Sequence, residues 1–401
     1  MSYSFLSALG TALLAAIPAL NAQGSAVAAG PTRDYFVLVG AESIDKVSLI
    51  RFGADGAKVI RDRYVGVNPT EVAGPHGIAV SPDKKSYYVT TAHGMPYGRL
   101  LKYDTETDAA KGFVQLGNFP ATVQVSPDGF YVWAVNFNLH GEMVPSDVSV
   151  VAAEEMIEIA RIPTCTMPHG SRLSPDGTKH YSVCMMDEEL VEIDTHTLKV
   201  SRHFFLTAGK EMGMDGAPML RAAPGKAMAP MAGMSGMSGM SHGMEPPKPG
   251  DIGCSPTWAQ PSPDGTKVWV ACNKSSEVVE IDVKSWTLSR RIPTGNGVYN
   301  LAVTHDGNTI ITTNKRDASA SLIDVKSGKE RARITTTRKI ASGVTVSDDD
   351  RYAFVSIEGT GSQPGTVDVI DLRTGTKVAS VDVGQQAGGI DFWKSEPPRP
   401  R

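Results

Sequence analysis

The chain of 401 residues has no run of lysine and arginine, and its 39 basic side chains are outnumbered by 43 acidic ones, for a formal net charge of −4. Such a balance offers no footprint for a polyanion, which excludes nucleic acid as a partner. There is no CxxCH or HExxH and no glycine-rich phosphate loop. Covalent haem, the common zinc-hydrolase pattern and nucleotide binding therefore have no signature here. Long apolar runs are also scarce. The one candidate, residues 5–20, is interrupted by Gly10 and Pro18, whereas a membrane anchor needs roughly 18 or more continuous apolar residues. It reads instead as the core of a signal peptide over residues 1–28, with small residues that fit cleavage after Ala22 or Ala28 although no Lys or Arg precedes the core. No Cys follows that could accept a lipid. The expectation is an exported protein, periplasmic or secreted, without a membrane span once the signal is removed.

What the chain has in quantity is repetition. Residues 262–282, SPDGTKVWVACNKSSEVVEID, open with a turn in which Pro263 fixes φ and Asp264-Gly265 supplies a local hydrogen bond and a permissive backbone. Two short runs rich in β-branched residues follow, 268–272 and 278–281, and read as antiparallel strands. The same words recur at 174–194, and looser copies begin at Ser81, Ser126, Thr304 and Ser347. These anchors stand 45, 48, 88, 42 and 43 residues apart. A period in the forties with four strands per unit is the signature of a β-propeller blade.

First strands are expected near His76, Ala121, His169, Thr257, Tyr299, Ser342 and Gly388. Strand-like runs at 35–39, 46–51 and 58–61 have no turn of this kind before them and lack a first strand, which residues 388–392 supply from the far end of the chain. The fold predicted is all-β: a seven-bladed β-propeller over residues 31–394, closed by N- and C-terminal strands that share one blade, which also removes free sheet edges. The double-length gap holds an insertion at 208–251 of Gly, Pro, Ala and Met without alternation, read as a loop, and residues 395–401 form a disordered tail.

The chain resembles the YVTN family of seven-bladed β-propellers, with Tyr88-Val89-Thr90-Thr91 close to the eponymous tetrapeptide and EID, LID or VID ending third strands at Asp194, Asp282, Asp324 and Asp371. The resemblance implies the fold. It leaves activity open, since members include lone exported proteins, relatives of amine dehydrogenase propeller subunits and lactonase-like enzymes.

In an up-and-down blade, the loop entering the first strand and the loop between strands two and three lie on one face, here called the top. His76 and His169, each in Pro-His-Gly, enter first strands there, and His93 and His140 lie in its loops. His180, His196 and His305 belong to bottom turns and His203 to an outer strand. Asp104, Asp194, Asp282, Asp324 and Asp371 read as turn caps.

In the insertion, Met228, Met231, Met234, Met237 and Met240 recur every three residues and are followed by His242 and Met244. Clustered thioethers suit Cu(I) rather than zinc, magnesium or calcium. The alternative is a low-complexity linker or an adaptable apolar surface. The four cysteines are expected as disulfides, Cys165 with Cys184 and Cys254 with Cys272 being the first choice of three connectivities. In the competing reading Cys184, Met185 and Met186 join His169 as soft metal ligands. The expectation for function is thus copper binding or delivery, with copper as cofactor and a periplasmic redox or copper-trafficking protein as partner. The alternatives are a propeller oxidoreductase or redox-enzyme subunit, and a non-enzymatic interaction scaffold.

Overall fold

The rule that builds the fold is visible in one turn. Ser262 donates its hydroxyl to Asp264 and accepts the Lys267 amide at 2.9 Å, Asp264 accepts the Thr266 amide at 3.0 Å, and Gly265 takes φ +70°. This closes the hairpin between the strands Pro256–Pro261 and Lys267–Cys272, and two further strands, Glu277–Asp282 and Thr287–Pro293, complete a four-stranded antiparallel blade. The structure is a computed structural model that describes Met1 and residues 30–66, 68, 70–93, 98–220 and 253–398. The signal-peptide reading and the ligands at 228–244 lie outside the described residues.

Period-two alternation explains why blades stack. Val268, Val270 and Cys272 face the preceding blade, packing with Tyr181, Val183 and Leu190, whereas Trp269 and Ala271 face the next, with Leu301 and Ile310. Inner strands are therefore buried on both sides and read as nearly continuous apolar runs, while the outer strand Thr287–Pro293 is largely exposed or half-buried. The core lies between blades, and each fully buried Val or Leu there contributes about 1.5–3 kcal/mol.

Seven such sheets are present among the described residues. Their innermost strands are Pro75–Val80, Pro120–Val125, Pro168–Leu173, Pro256–Pro261, Val298–Val303, Ala341–Val346 and Ala387–Glu396. Each touches the next and the last touches the first, so the ring is closed. Hydroxyls tie neighbours at the rim: Thr257 donates to the Tyr299 carbonyl and Thr313 to the Ser342 carbonyl, both at 2.7 Å. The seventh blade runs Ala387–Glu396, Asp34–Ala41, Lys46–Gly53, Gly56–Tyr64, joining the two ends of the chain as expected.

Two boundaries differ from expectation. Residues 395 and 396 are strand, not disordered tail, because Ser395 and Glu396 pair with Tyr35 and Asp34 and Arg33 donates to the Ser395 hydroxyl at 2.9 Å. Within the stretch read as a loop from 208, Met212–Asp215 forms a fifth strand on the edge of the third blade, pairing with Lys199–Phe205. That strand runs down the outer edge of the blade away from the top, and the described chain resumes on the top face, where Glu188 accepts the Cys254 and Ser255 amides.

Both first-choice disulfides are present. Cys165–Cys184 joins the outer strand of the second blade, Ile157–Thr166, to the third blade, and Cys254–Cys272 ties the approach to the fourth blade to its second strand. With its sulfur in that bond Cys184 has no thiolate to offer, which corrects its reading as a metal ligand.

Candidate functional site

Ring closure gathers the top-face histidines. The 3-10 helix Glu42–Ile44 in the seventh blade carries Glu42, whose carboxylate is only 4% exposed and lies between two imidazoles: His76 Nδ1 at 2.9 Å on one oxygen and His93 Nε2 on the other. His93 Nδ1 in turn stands 3.3 Å from Nε2 of His140, which is exposed. Asp45, just beyond the helix, accepts the Gly74 amide at 2.7 Å and so sets the loop before His76. Gly74 is required there, because its φ is +66° and a Cβ would meet the His93 ring at 2.2 Å. Phe119 is the post of the cluster, with its centroid 5.2, 5.1 and 5.3 Å from those of His76, His93 and His140.

A second branch starts at His169, buried, with its ring centroid 6.2 Å from that of His76. His169 Nδ1–H donates to the Thr257 carbonyl at 2.8 Å, which leaves Nε2 as the lone-pair nitrogen, and Tyr299 donates its hydroxyl to it at 3.1 Å. Lys315 sits 3.6 Å from the Tyr299 ring centroid and pairs with Glu358 at 2.8 Å.

The charges follow from these contacts. Burial opposes ionisation of Glu42, yet the His76 and His93 imidazoles hold its carboxyl well below the usual range. The hydrogen bond that His93 donates to the Glu42 carboxylate raises His93 against the effect of burial. His169 goes the other way: burial first, then the charge of His76, pushes it down to about 3, so it is a neutral acceptor. Burial raises Tyr299, and Lys315 stays a cation because Tyr299 and Glu358 outweigh its burial.

Of the residues singled out in the sequence, His76, His93, His140 and His169 converge. Met185 lies beside them, packed with Met167 against Phe119 and Phe137, whereas Met186 is 51% exposed. His180, His203 and His305 are elsewhere, stacked on Trp133, bonded to the Gly216 carbonyl and paired with Asp350 respectively. The turn aspartates cap turns, as with Asp194 on the Thr197 amide and Asp282 on the Ser285 amide, each at 2.9 Å. Sequence reasoning missed Glu42, Phe119, Tyr299 and Lys315. Position in the loop between second and third strands is the one signal that would have flagged Glu42 and Lys315.

Among the described residues, no group of three or more His, Cys, Asp and Glu could hold a metal ion. The pair His93 Nδ1 and His140 Nε2 nevertheless has the right separation for one edge of a site. Two nitrogens each about 2.0–2.1 Å from a tetrahedral ion lie roughly 3.3 Å apart. Glu42 on the opposite nitrogen of His93 is the arrangement by which a carboxylate orients a ligating imidazole.

No family model matches this chain and no curated protein is similar to it. Solved structures are. A periplasmic gluconolactonase from Pseudomonas aeruginosa aligns with 16% identity over 90% of this chain and 99% of its own, TM-score 0.62. A functionally unknown protein from Desulfotomaculum acetoxidans gives 15% identity over 89% and 98%, TM-score 0.61. Hydrazine synthase from Kuenenia stuttgartiensis gives 19% identity over 81% and 91%, TM-score 0.58. The likeness is one of fold. No helix of the described residues is long and apolar enough to cross a membrane.

Proposed function

We propose that this protein is an exported copper-binding propeller, with a top-face site built on His93 and His140 and a Met-rich insertion that captures Cu(I). The observation that carries the reading is the 3.3 Å separation of two imidazole nitrogens, one of them backed by a buried carboxylate. Imidazole suits copper, and the thioethers of Met228, Met231, Met234, Met237, Met240 and Met244 with His242 favour its reduced form. Two buried disulfides support an oxidising compartment and hence export. Met185 and Met167, packed at the Phe119 post, put thioethers beside this cluster. The role is copper binding or delivery to a periplasmic partner.

The test is metal analysis of protein purified from the periplasm, with Cu(II) spectroscopy. Stoichiometric copper is expected, with the imidazole-coupled Cu(II) signal lost in His93→Ala and in His140→Ala. A variant lacking residues 221–252 should keep that signal and lose Cu(I) capacity. If the intact protein retains no copper, the reading fails and an interaction scaffold takes its place. A redox enzyme or redox subunit is the second reading, favoured by the neutral His169 against Tyr299 and Lys315 at the same rim. Sustained turnover of the copper-loaded protein with a reductant and oxygen, abolished by Tyr299→Phe, would establish it.

A further inference from the structure

Beneath the histidines, the central channel is a narrow cavity of about 50 Å³ lined by His76, His169 and Tyr299 and, further along the same inner strands, by Arg172, Trp258 and Asn300. Its deeper wall carries polar groups that the fold leaves unanswered. Trp258 and Asn300 are 7% and 5% exposed, and neither the indole N–H nor the Asn300 side-chain carbonyl finds a hydrogen-bond partner. Buried polar groups are nearly always paired, so two unpaired ones on residues that line one cavity call for an occupant. Arg172 lies with its guanidinium carbon 4.4 Å from the Trp258 ring centroid and spends one N–H on the Ser171 carbonyl at 2.9 Å. The neighbouring carboxylate, Asp391, has its oxygens on the Val80 and Phe392 amides, at 2.7 and 2.9 Å, and forms no ion pair with Arg172. Burial lowers Arg172 to about 10, which leaves it a cation at neutral pH.

The channel is also kept open. A Cβ at Gly389 would strike the His76 carbonyl at 2.2 Å and one at Gly343 the Gly388 carbonyl at 2.7 Å, so close blade packing accounts for those glycines. At Gly388 a Cβ would meet nothing nearer than the His76 carbonyl at 4.0 Å. Packing does not demand glycine there, and a larger residue would project into free space at the channel wall.

From these groups we infer that the channel binds a small hydroxycarboxylate. Its carboxylate takes the Arg172 fork and the Trp258 N–H, its hydroxyl donates to the Asn300 carbonyl, and its carbon chain lies against Ile78, Val344 and Ile390. The planar, doubly accepting carboxylate is the shape a guanidinium fork matches. A neutral polyol leaves the cation unanswered, and a plain carboxylate leaves Asn300 unpaired. The inference is independent of copper.

The experiment uses the full-length protein treated with a chelator, titrated with lactate, propionate and 1,2-propanediol. The Trp258 indole N–H resonance, assigned with Trp258→Phe, is the reporter. Lactate should shift that resonance saturably and more tightly than propionate, and the diol should not shift it. Arg172→Gln should weaken lactate at least tenfold, and Asn300→Leu should bring lactate down to the affinity of propionate. Gly388→Leu, a substitution the fold has room for, should block binding while the melting temperature stays near that of the parent. No saturable shift with lactate, equal affinity for the diol, or lactate binding that survives both Arg172→Gln and Gly388→Leu would overturn the inference.

Discussion

His169 and His180 are both pushed down to about 3, burial being the first cause in each, but their surroundings differ. His169 has partners on both nitrogens; His180 lies at 4.9 Å between ring centroids on Trp133 with neither nitrogen bonded. A group whose folded pKa is depressed below an unfolded value near 6.5 costs no stability above that value. As pH falls from about 6.5 toward 3 the unfolded chain takes up a proton that the native one refuses, and each such histidine costs on the order of 2 kcal/mol by pH 5. His93, raised by Glu42, works in the opposite sense. It contributes stability below about 6.5 that is lost as pH rises through its raised value. His180→Leu, similar in volume and free of the protonation cost, should change urea stability at pH 7.5 by no more than about 1 kcal/mol and should recover about 2 kcal/mol at pH 5. An unchanged pH slope in the variant would refute this account. The sequence placed His180 correctly away from the site, but its burial became visible only once the third blade was packed on the second.

At the level of elements, the cysteine positions were legible because second strands and approaches to first strands meet across a turn of known geometry. Pairing Pro168 with Cys184 and Pro256 with Cys272 puts each cysteine beside the chain that carries its partner. Both bonds close loops of similar length, at separations of 19 and 18 residues, and all four cysteines are at most 1% exposed. Loop-closure entropy puts each at roughly 3 kcal/mol. The unfolded, unreduced protein should titrate no free thiol. The paired change Cys165→Ser with Cys184→Ser should lower stability by about that amount, and Cys254→Ser with Cys272→Ser likewise, as read from denaturant midpoints. A free thiol in the unreduced protein would contradict the connectivity. What the strand pattern could not supply was the edge strand Met212–Asp215, whose residues MGMD carry no β-type alternation. It is held by pairing to Lys199–Phe205, and its neighbour Glu211 bonds Arg291 of the next blade.

For the whole molecule, closure is the dominant constraint. Asp34–Ala41 pairs on one side with Lys46–Gly53 and on the other with Ala387–Glu396, so the chain's two ends support one sheet. Removing residues 387–401 would strip the innermost strand from the seventh blade, expose Phe36 and Val37 along a free edge, and unpair the contact between last and first blades. The truncated protein should aggregate or lose its single cooperative melt, whereas removal of residues 399–401 alone should leave melting unchanged. A truncation at 387 that still melts in one transition at the parent temperature would show that the ring does not depend on its closing strand.

The blade period, the seven first strands and the shared blade were determined by the sequence alone, because turn chemistry and period-two alternation are local and repeat with every blade; the cysteine pairing was its first choice of three, and the tertiary structure decided it. The site was half legible. His76, His93, His140 and His169 could be placed on one face by strand direction, but Glu42, Tyr299, Lys315, Arg172, Trp258 and Asn300 could not be assigned to it. Those six are spread over four blades, and what joins them is the angle at which seven blades meet around an axis. That angle is set by side-chain packing between sheets, and no single stretch of chain encodes it.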